Sequence, residues 1–160
     1  MAEPRNLVIC CAGDESTHPQ WLEQGREYDL CVIYYGSQES RYRDEVEHWL
    51  EAKGTKSQLL VQLFEARPEL LGQYEYFWIP DDDLGTCAAD INRIFGLFAD
   101  SGFHIGQPSL TRDSHCAFSV LTQKDMGTCE TTFVEIMCPL FTAASLRKYW
   151  PLFRESVCGW

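Results

Sequence analysis

Three consecutive carboxylates, Asp81-Asp82-Asp83, follow the apolar run Tyr76-Phe77-Trp78-Ile79 through a single proline. Adjacent carboxylates about 5 Å apart repel by roughly 3 kcal/mol per pair at an effective dielectric near 20, so something should offset them. A hard divalent cation, Mg²⁺ or Mn²⁺, is held by oxygen ligands of this kind. In an extended segment side chains alternate, which puts Asp81 and Asp83 on one side and Asp82 on the other. The segment therefore reads as a D-x-D grip on one metal ion at a strand end. Its plainer reading is a solvated turn that caps the following helix, a use to which aspartate is well suited.

Two further places carry chemistry. The loop Gly13-Asp14-Glu15-Ser16-Thr17-His18 brings a carboxylate, two hydroxyls and an imidazole to the end of an apolar run; it is either a plain turn or a nucleotide-contacting loop in which Asp14 takes part. Glu135 is a lone acid inside Phe133-Val134-Glu135-Ile136-Met137, and a charge in such a run is paired, functional or on a solvent face. It is the candidate catalytic carboxylate. His18, His104 and His115 lack metal-type spacing to another His or Cys and read as core or surface histidines. Eight cysteines form no C-x-x-C pair, and Cys10, Cys31 and Cys138 lie inside apolar runs as buried free thiols.

These residues need a scaffold. The length of 160 residues suits one domain, expected to span 1–160, and 45% hydrophobic with 13% aromatic content is ample for a core. With 13 basic against 24 acidic residues the net charge of -11 argues against nucleic acid or an anionic membrane surface as the main partner. The opening Met1-Ala2-Glu3-Pro4-Arg5 carries no signal-peptide pattern and no run suits a membrane span, so a soluble cytoplasmic protein is expected.

Strand and helix patterns alternate, which predicts an α/β fold with an open, twisted, mostly parallel sheet. Leu7-Val8-Ile9-Cys10-Cys11-Ala12 and Leu30-Cys31-Val32-Ile33-Tyr34-Tyr35 read as strands buried on both faces. Ser37 is expected to cap a helix through about Ala52 on Val46, Trp49 and Leu50, and Ser57 another on Leu59, Leu60, Leu63 and Phe64. Pro68 opens a short helical turn that Gly72 closes. After the strand at 76–79, Thr86 caps a helix with Ile91, Ile94, Phe95 and Phe98 that Gly102 stops. Strands are further expected at 103–105, 117–121 and 131–137, and a helix at 143–150. In such sheets ligands bind outside the carboxyl ends of the strands, where both the aspartates and the 13–18 loop fall.

The segment Tyr74-Glu75-Tyr76-Phe77-Trp78-Ile79-Pro80-Asp81-Asp82-Asp83-Leu84, with Gly106-Gln107-Pro108-Ser109-Leu110 and Phe133 through Phe141, resembles a family assigned to the GT-A type of glycosyltransferase and long catalogued as a domain of unknown function. The stretch from Ala12 to His18 and Trp21 is similar in kind. The resemblance implies a GT-A-like fold and transfer of a sugar from a UDP- or GDP-linked donor to an unknown glycan or small-molecule acceptor. It implies that Asp81 and Asp83 hold Mn²⁺ or Mg²⁺ and that Asp81, Asp82 and Asp83 bind the nucleotide sugar. Relatives continue from a similar Gly-Trp into a further Gly-x-Asp stretch, whereas this sequence ends at Cys158-Gly159-Trp160, so part of the acceptor machinery is expected to be missing.

Other function classes fit less well. A dehalogenase-like phosphatase uses D-x-D-x-T, but Gly85 stands at the fifth position; a metal-dependent phosphohydrolase stays as a lesser alternative. A calcium loop would need alternating acids and a later glutamate, which 81–90 does not supply. The serious rival is a binding module of the same fold that retains nucleotide or metal affinity without transfer.

Overall fold

The computed structural model describes residues 5–124 and 127–156; the terminal Met1 to Pro4 and Cys158-Gly159-Trp160 segments weighed above lie outside the described residues. Six strands form one sheet in the order β3-β2-β1-β4-β6-β5. They are β1 (Asn6–Ala12), β2 (Asp29–Tyr34), β3 (His48–Glu51), β4 (Tyr76–Trp78), β5 (Ile105–Gly106) and β6 (Leu140–Thr142). The pairings β3-β2, β2-β1 and β1-β4 are parallel, whereas β6 runs antiparallel to both β4 and β5. The expected α/β class with a mostly parallel sheet is therefore present.

Each apolar strand feeds two cores. In β1, Leu7, Ile9 and Cys11 enter the core on one face, with α1 (Lys56–Ala66), α2 (Leu70–Gln73) and α4 (Ala143–Tyr149). Val8, Cys10 and Ala12 enter the other, with Trp21, Trp78 and α3 (Ala88–Ser101). This is why those runs lack polar alternation: both faces are covered by helices. Cys10, Cys31 and Cys138 are buried free thiols as expected, and burial pushes the Cys138 thiol up to about 12. They are not nucleophiles at neutral pH.

The 37–52 segment departs from its expected helix. It holds only a single tight turn at Arg43–Glu45 and then β3, which pairs with Cys31 through Tyr34. Trp49 packs into one core and Leu50 into the other, the alternation of a strand, and left-handed φ at Ser40 (53°) and Tyr42 (67°) would interrupt any helix upstream.

Caps also moved. Thr55, not Ser57, begins α1: its hydroxyl accepts from the Gln58 N–H and the Gln58 side chain accepts from the Thr55 N–H, while Ser57 is buried in the first turn. Gly72 lies within α2, which ends at Gln73. Cys87, not Thr86, precedes α3, and the Glu23 carboxylate accepts from the Ala88 N–H at 3.3 Å, a cap supplied from a distant loop. Gly102 stops α3 in the left-handed region, φ 70°, as expected.

The strand expected at 103–105 is β5, one residue pair later. Residues 117–121 give a short turn at Ser119–Leu121, and 131–137 form no strand; the pairing strand is β6. Pro139 has no N–H to give to a ladder, yet its carbonyl accepts from Ile79 N–H at 2.9 Å and that of Met137 from Asp81 N–H at 2.7 Å. The chain from 137 onward thus lies along the end of β4 and carries the residues before it to the same edge of the sheet as the aspartates. The helix expected at 143–150 is α4, capped by Thr142. No helix among the described residues is long and apolar enough to cross a membrane.

Candidate functional site

β1, β2 and β4 run parallel, so their carboxyl ends lie along one edge of the sheet, the side on which open α/β sheets carry their ligand crevice. Cys11 and Asp81 form a parallel bridge three residues beyond the last β1-β4 pair, Val8 and Trp78, in the same register. Just beyond this bridge the Gly13 N–H donates to the Asp82 carboxylate at 2.8 Å. The Asp82 carbonyl in turn accepts from the Thr17 N–H at 2.7 Å and from the Thr17 hydroxyl at 2.9 Å, and the Trp21 indole donates to Leu84 O at 3.2 Å. The loop after β1 is thereby sewn onto the triple aspartate by its own backbone.

The three carboxylates have three environments. Asp81 is ion-paired with the Lys56 ammonium at 2.7 Å. Asp82 faces the Gly13 loop, and its carboxyl sits above the usual range because burial disfavours the charge and Asp83 and Asp81 add repulsion, against the opposing hydrogen bond from Gly13. Asp83 is exposed, and among the described residues its carboxylate receives no hydrogen bond.

Asp14 is held differently. Its carboxylate accepts from the Tyr34 hydroxyl, from the Ser37 N–H at 3.1 Å and from the Ser37 hydroxyl at 2.8 Å. The Tyr34 bond, followed by those from Ser37, draws its carboxyl down to about 2. Asp14 therefore clamps the loop after β1 to the loop after β2. Gly36 is pressed against this clamp, since a Cβ there would overlap the Asp14 carboxylate and the Tyr34 hydroxyl. Gly36→Ala is accordingly expected to open the clamp and destabilise the fold by about 1–3 kcal/mol, read as a lowered urea midpoint.

His18 is fully buried, with Nδ1 2.7 Å from the Ser16 hydroxyl and its ring edge-on to Tyr42 at 4.4 Å between centroids. Burial, reinforced by the Arg41 charge, lowers it to about 4, so the imidazole is neutral and a core residue, as its sequence context suggested. A folded value below the usual 6.5 means that the unfolded chain binds the extra proton between pH 6.5 and 4. The contribution is complete above 6.5 and is lost as pH falls through that window, about 3 kcal/mol in all. Asp82, displaced upward, opposes this trend slightly. Urea unfolding from pH 7 to 4 should show the loss, and His18→Phe should flatten it. His104 and His115 are exposed, which also agrees with expectation.

Two residues at the crevice carried no sequence signal. The Lys56 side chain is only 13% exposed and gives its ammonium to Asp81 Oδ1 and to the carbonyls of Ile79, Ile136 and Met137 at 2.7 to 3.2 Å. Its position at the start of the helix after β3 was the available clue. Tyr35 was expected in the core with Tyr34, but it is 40% exposed and its ring lies over Gly13 beside Asp82. Lying one residue past the last strand position, it escapes the core.

Glu135 lies across Lys56 from the aspartates. Its N–H donates to the Gln107 side chain at 2.6 Å, while its Oε2 is sealed from solvent with no partner among the described residues. It lines a cavity of about 490 Å³ together with Lys56. Among the described residues no group of three or more His, Cys, Asp or Glu side chains is placed to hold a metal ion.

An open, mostly parallel sheet with helices on both faces and loops converging beyond its carboxyl edge is a Rossmann-like, GT-A-like fold. Among solved structures it is similar to the 4-diphosphocytidyl-2C-methyl-D-erythritol synthase of Anaerococcus prevotii DSM 20548. The two are 13% identical with a TM-score of 0.51, over 94% of this chain and 75% of that one, a likeness of fold. No family model and no curated protein sequence matches the chain.

Proposed function

We propose that this crevice binds a nucleoside-diphosphate sugar and that the chain transfers the sugar to an acceptor hydroxyl. The observation that carries this proposal is the junction of Asp81-Asp82-Asp83 with the 13–18 loop at the carboxyl edge of a Rossmann-like sheet. The similar synthase, whose name carries a diphosphocytidyl group, supports a nucleotide ligand for the fold.

Mg²⁺ or Mn²⁺ fits the donor set in one way. Among the described residues Asp83 receives no hydrogen bond and Asp81 has one oxygen beyond that held by Lys56, and hard cations are commonly held by one or two carboxylates with phosphate oxygens and water completing the sphere. Asp81 and Asp83 would hold the ion, which when bound supplies charge stabilisation to the departing diphosphate. Asp82 serves the same nucleotide sugar by fixing the 13–18 loop through Gly13. Asp14, its oxygens already engaged, shapes the floor of the crevice, and Tyr35 offers an exposed ring for the base.

In the transfer, the acceptor oxygen bonds to the anomeric carbon as the bond from that carbon to the diphosphate breaks. The bonding pair leaves with the nucleoside diphosphate, and the hydroxyl proton passes to a carboxylate, for which Glu135 is the candidate. Release of UDP or GDP from UDP- or GDP-hexoses, assayed with a panel of alcohols, tests this directly. Acceptor-dependent release that falls by about 100-fold or more in Glu135→Gln is expected. Release of neither diphosphate with any acceptor, alongside intact donor binding, would favour the rival binding module, which the fixed ammonium on Asp81 also suits.

A further inference from the structure

We infer that Lys56 is a positioning residue that makes the proposed metal site selective: by holding Asp81 Oδ1 it leaves an ion a single oxygen of that carboxylate, which suits Mn²⁺ or Mg²⁺ and disfavours Ca²⁺. The inference rests on the proposed grip of Asp81 and Asp83 on a divalent ion.

The Lys56 ammonium is anchored by more than its ion pair. Lys56 is the first residue of α1, directly after the Thr55 cap, and its Nζ reaches Ile136 O at 2.7 Å, Ile79 O at 2.9 Å and Met137 O at 3.2 Å, besides Asp81 Oδ1 at 2.7 Å. Its three N–H groups are therefore all engaged, and swinging aside would leave the carbonyls of Ile79 and Ile136 without a donor. The Asp81 backbone is pinned as well, by the bridge to Cys11 and by its N–H on Met137 O. An anchored donor facing an anchored backbone orients the carboxylate between them. Oδ1 is turned to the ammonium, and Oδ2, which receives no hydrogen bond among the described residues, is the oxygen left for a cation. Chelation by both oxygens would set the ion and the ammonium on one oxygen, where like charges repel.

Divalent ions differ in how much this matters to them. Ca²⁺ gathers roughly six to eight oxygens and readily takes both from one carboxylate, whereas Mg²⁺ is small and octahedral and is held by one or two carboxylates with water and phosphate oxygens. Mn²⁺ shares the octahedral oxygen sphere. One oxygen from Asp81 beside the carboxylate of Asp83 suits the second kind of ion.

The test needs neither nucleotide nor turnover. The chain is titrated with Mn²⁺, read from the EPR signal of the free ion, and Ca²⁺ is then added as competitor. The unaltered chain should need at least about tenfold more Ca²⁺ than Mn²⁺ for half-occupancy, and in Lys56→Met that ratio should fall by about tenfold. Loss of the ammonium charge alone would strengthen both ions alike and leave the ratio where it was; release of the second Asp81 oxygen favours Ca²⁺. Asp81→Asn reads the same orientation with the lysine in place. Its amide oxygen must face the ammonium, which turns the NH₂ group towards the ion, so Mn²⁺ binding should weaken by about 100-fold or more. An unchanged ratio in folded Lys56→Met, or Mn²⁺ affinity within about tenfold of the parent in Asp81→Asn, would overturn the inference while leaving the metal reading in place. Absence of Mn²⁺ binding by the unaltered chain would overturn both.

Discussion

Asp83→Ala should leave the fold intact and weaken Mn²⁺-dependent binding of UDP or GDP by at least about 100-fold. Loss of a residue that merely orients a metal ligand costs about 10–100-fold in metal affinity, so loss of a direct ligand should cost more. Asp83 is the sharper choice of the two proposed ligands because its carboxylate is exposed and receives no hydrogen bond among the described residues. Its removal should change stability by no more than about 0.5 kcal/mol, with slight relief of repulsion from its neighbours. Asp81→Ala would instead strand the Lys56 ammonium and confound binding with folding. Calorimetric titration together with a urea curve separates the two effects. An unchanged nucleotide affinity in Asp83→Ala would assign the triple aspartate to a turn.

Lys56→Met should have the largest effect on stability. Breaking a fully buried ion pair costs about 3–5 kcal/mol, but the Asp81 partner is 42% exposed and can be hydrated, which lowers the expectation to about 2–3 kcal/mol. The remaining loss comes from the carbonyls of Ile79 and Ile136, to which no other donor among the described residues is directed, whereas that of Met137 keeps the Asp81 N–H. For a chain of this length that corresponds to a melting temperature lower by about 5–10 °C. Because the ammonium ties the 136–137 segment to the end of β4, nucleotide affinity should fall as well. Lys56→Arg should rescue little, since a planar fork cannot reproduce four acceptors around a point. A melting temperature within about 1 °C of the parent would mean that the ammonium is solvated and not a staple.

How much of this could be read beforehand depended on where the partners of each residue lie. β1 and β2 were legible because unbroken apolar runs have few other uses than a strand covered on both faces. β3 was not, because Val46, Trp49 and Leu50 satisfy a helical spacing as well as a strand's, and only pairing with β2 decides between them. The cap of α3 was missed for a similar reason: its acceptor, Glu23, is 65 residues away along the chain. The aspartates were visible as a cluster, but their division of labour was not. Asp82 is turned to Gly13 by the β1-β4 register, and Asp81 is held by a lysine whose other acceptors come from residues 79, 136 and 137. Asp14 drew notice as a nucleotide contact, yet its oxygens are engaged by Tyr34 and Ser37 across the neighbouring loop. Glu135 stood out as an acid in an apolar run, and what the fold added was its cavity and its unpartnered oxygen.

On the proposed reading Asp81-Asp82-Asp83 and the adjoining 13–18 loop hold a nucleoside diphosphate through a divalent ion at the carboxyl edge of the sheet. Titration of UDP and of GDP into the chain by calorimetry, first with Mn²⁺ and then with a chelator, tests it most directly. Saturable binding of at least one nucleotide with Mn²⁺, weakened by about 100-fold or more in the chelator, is the result predicted. Binding of neither nucleotide with Mn²⁺, or equal affinity with and without the metal, would contradict it.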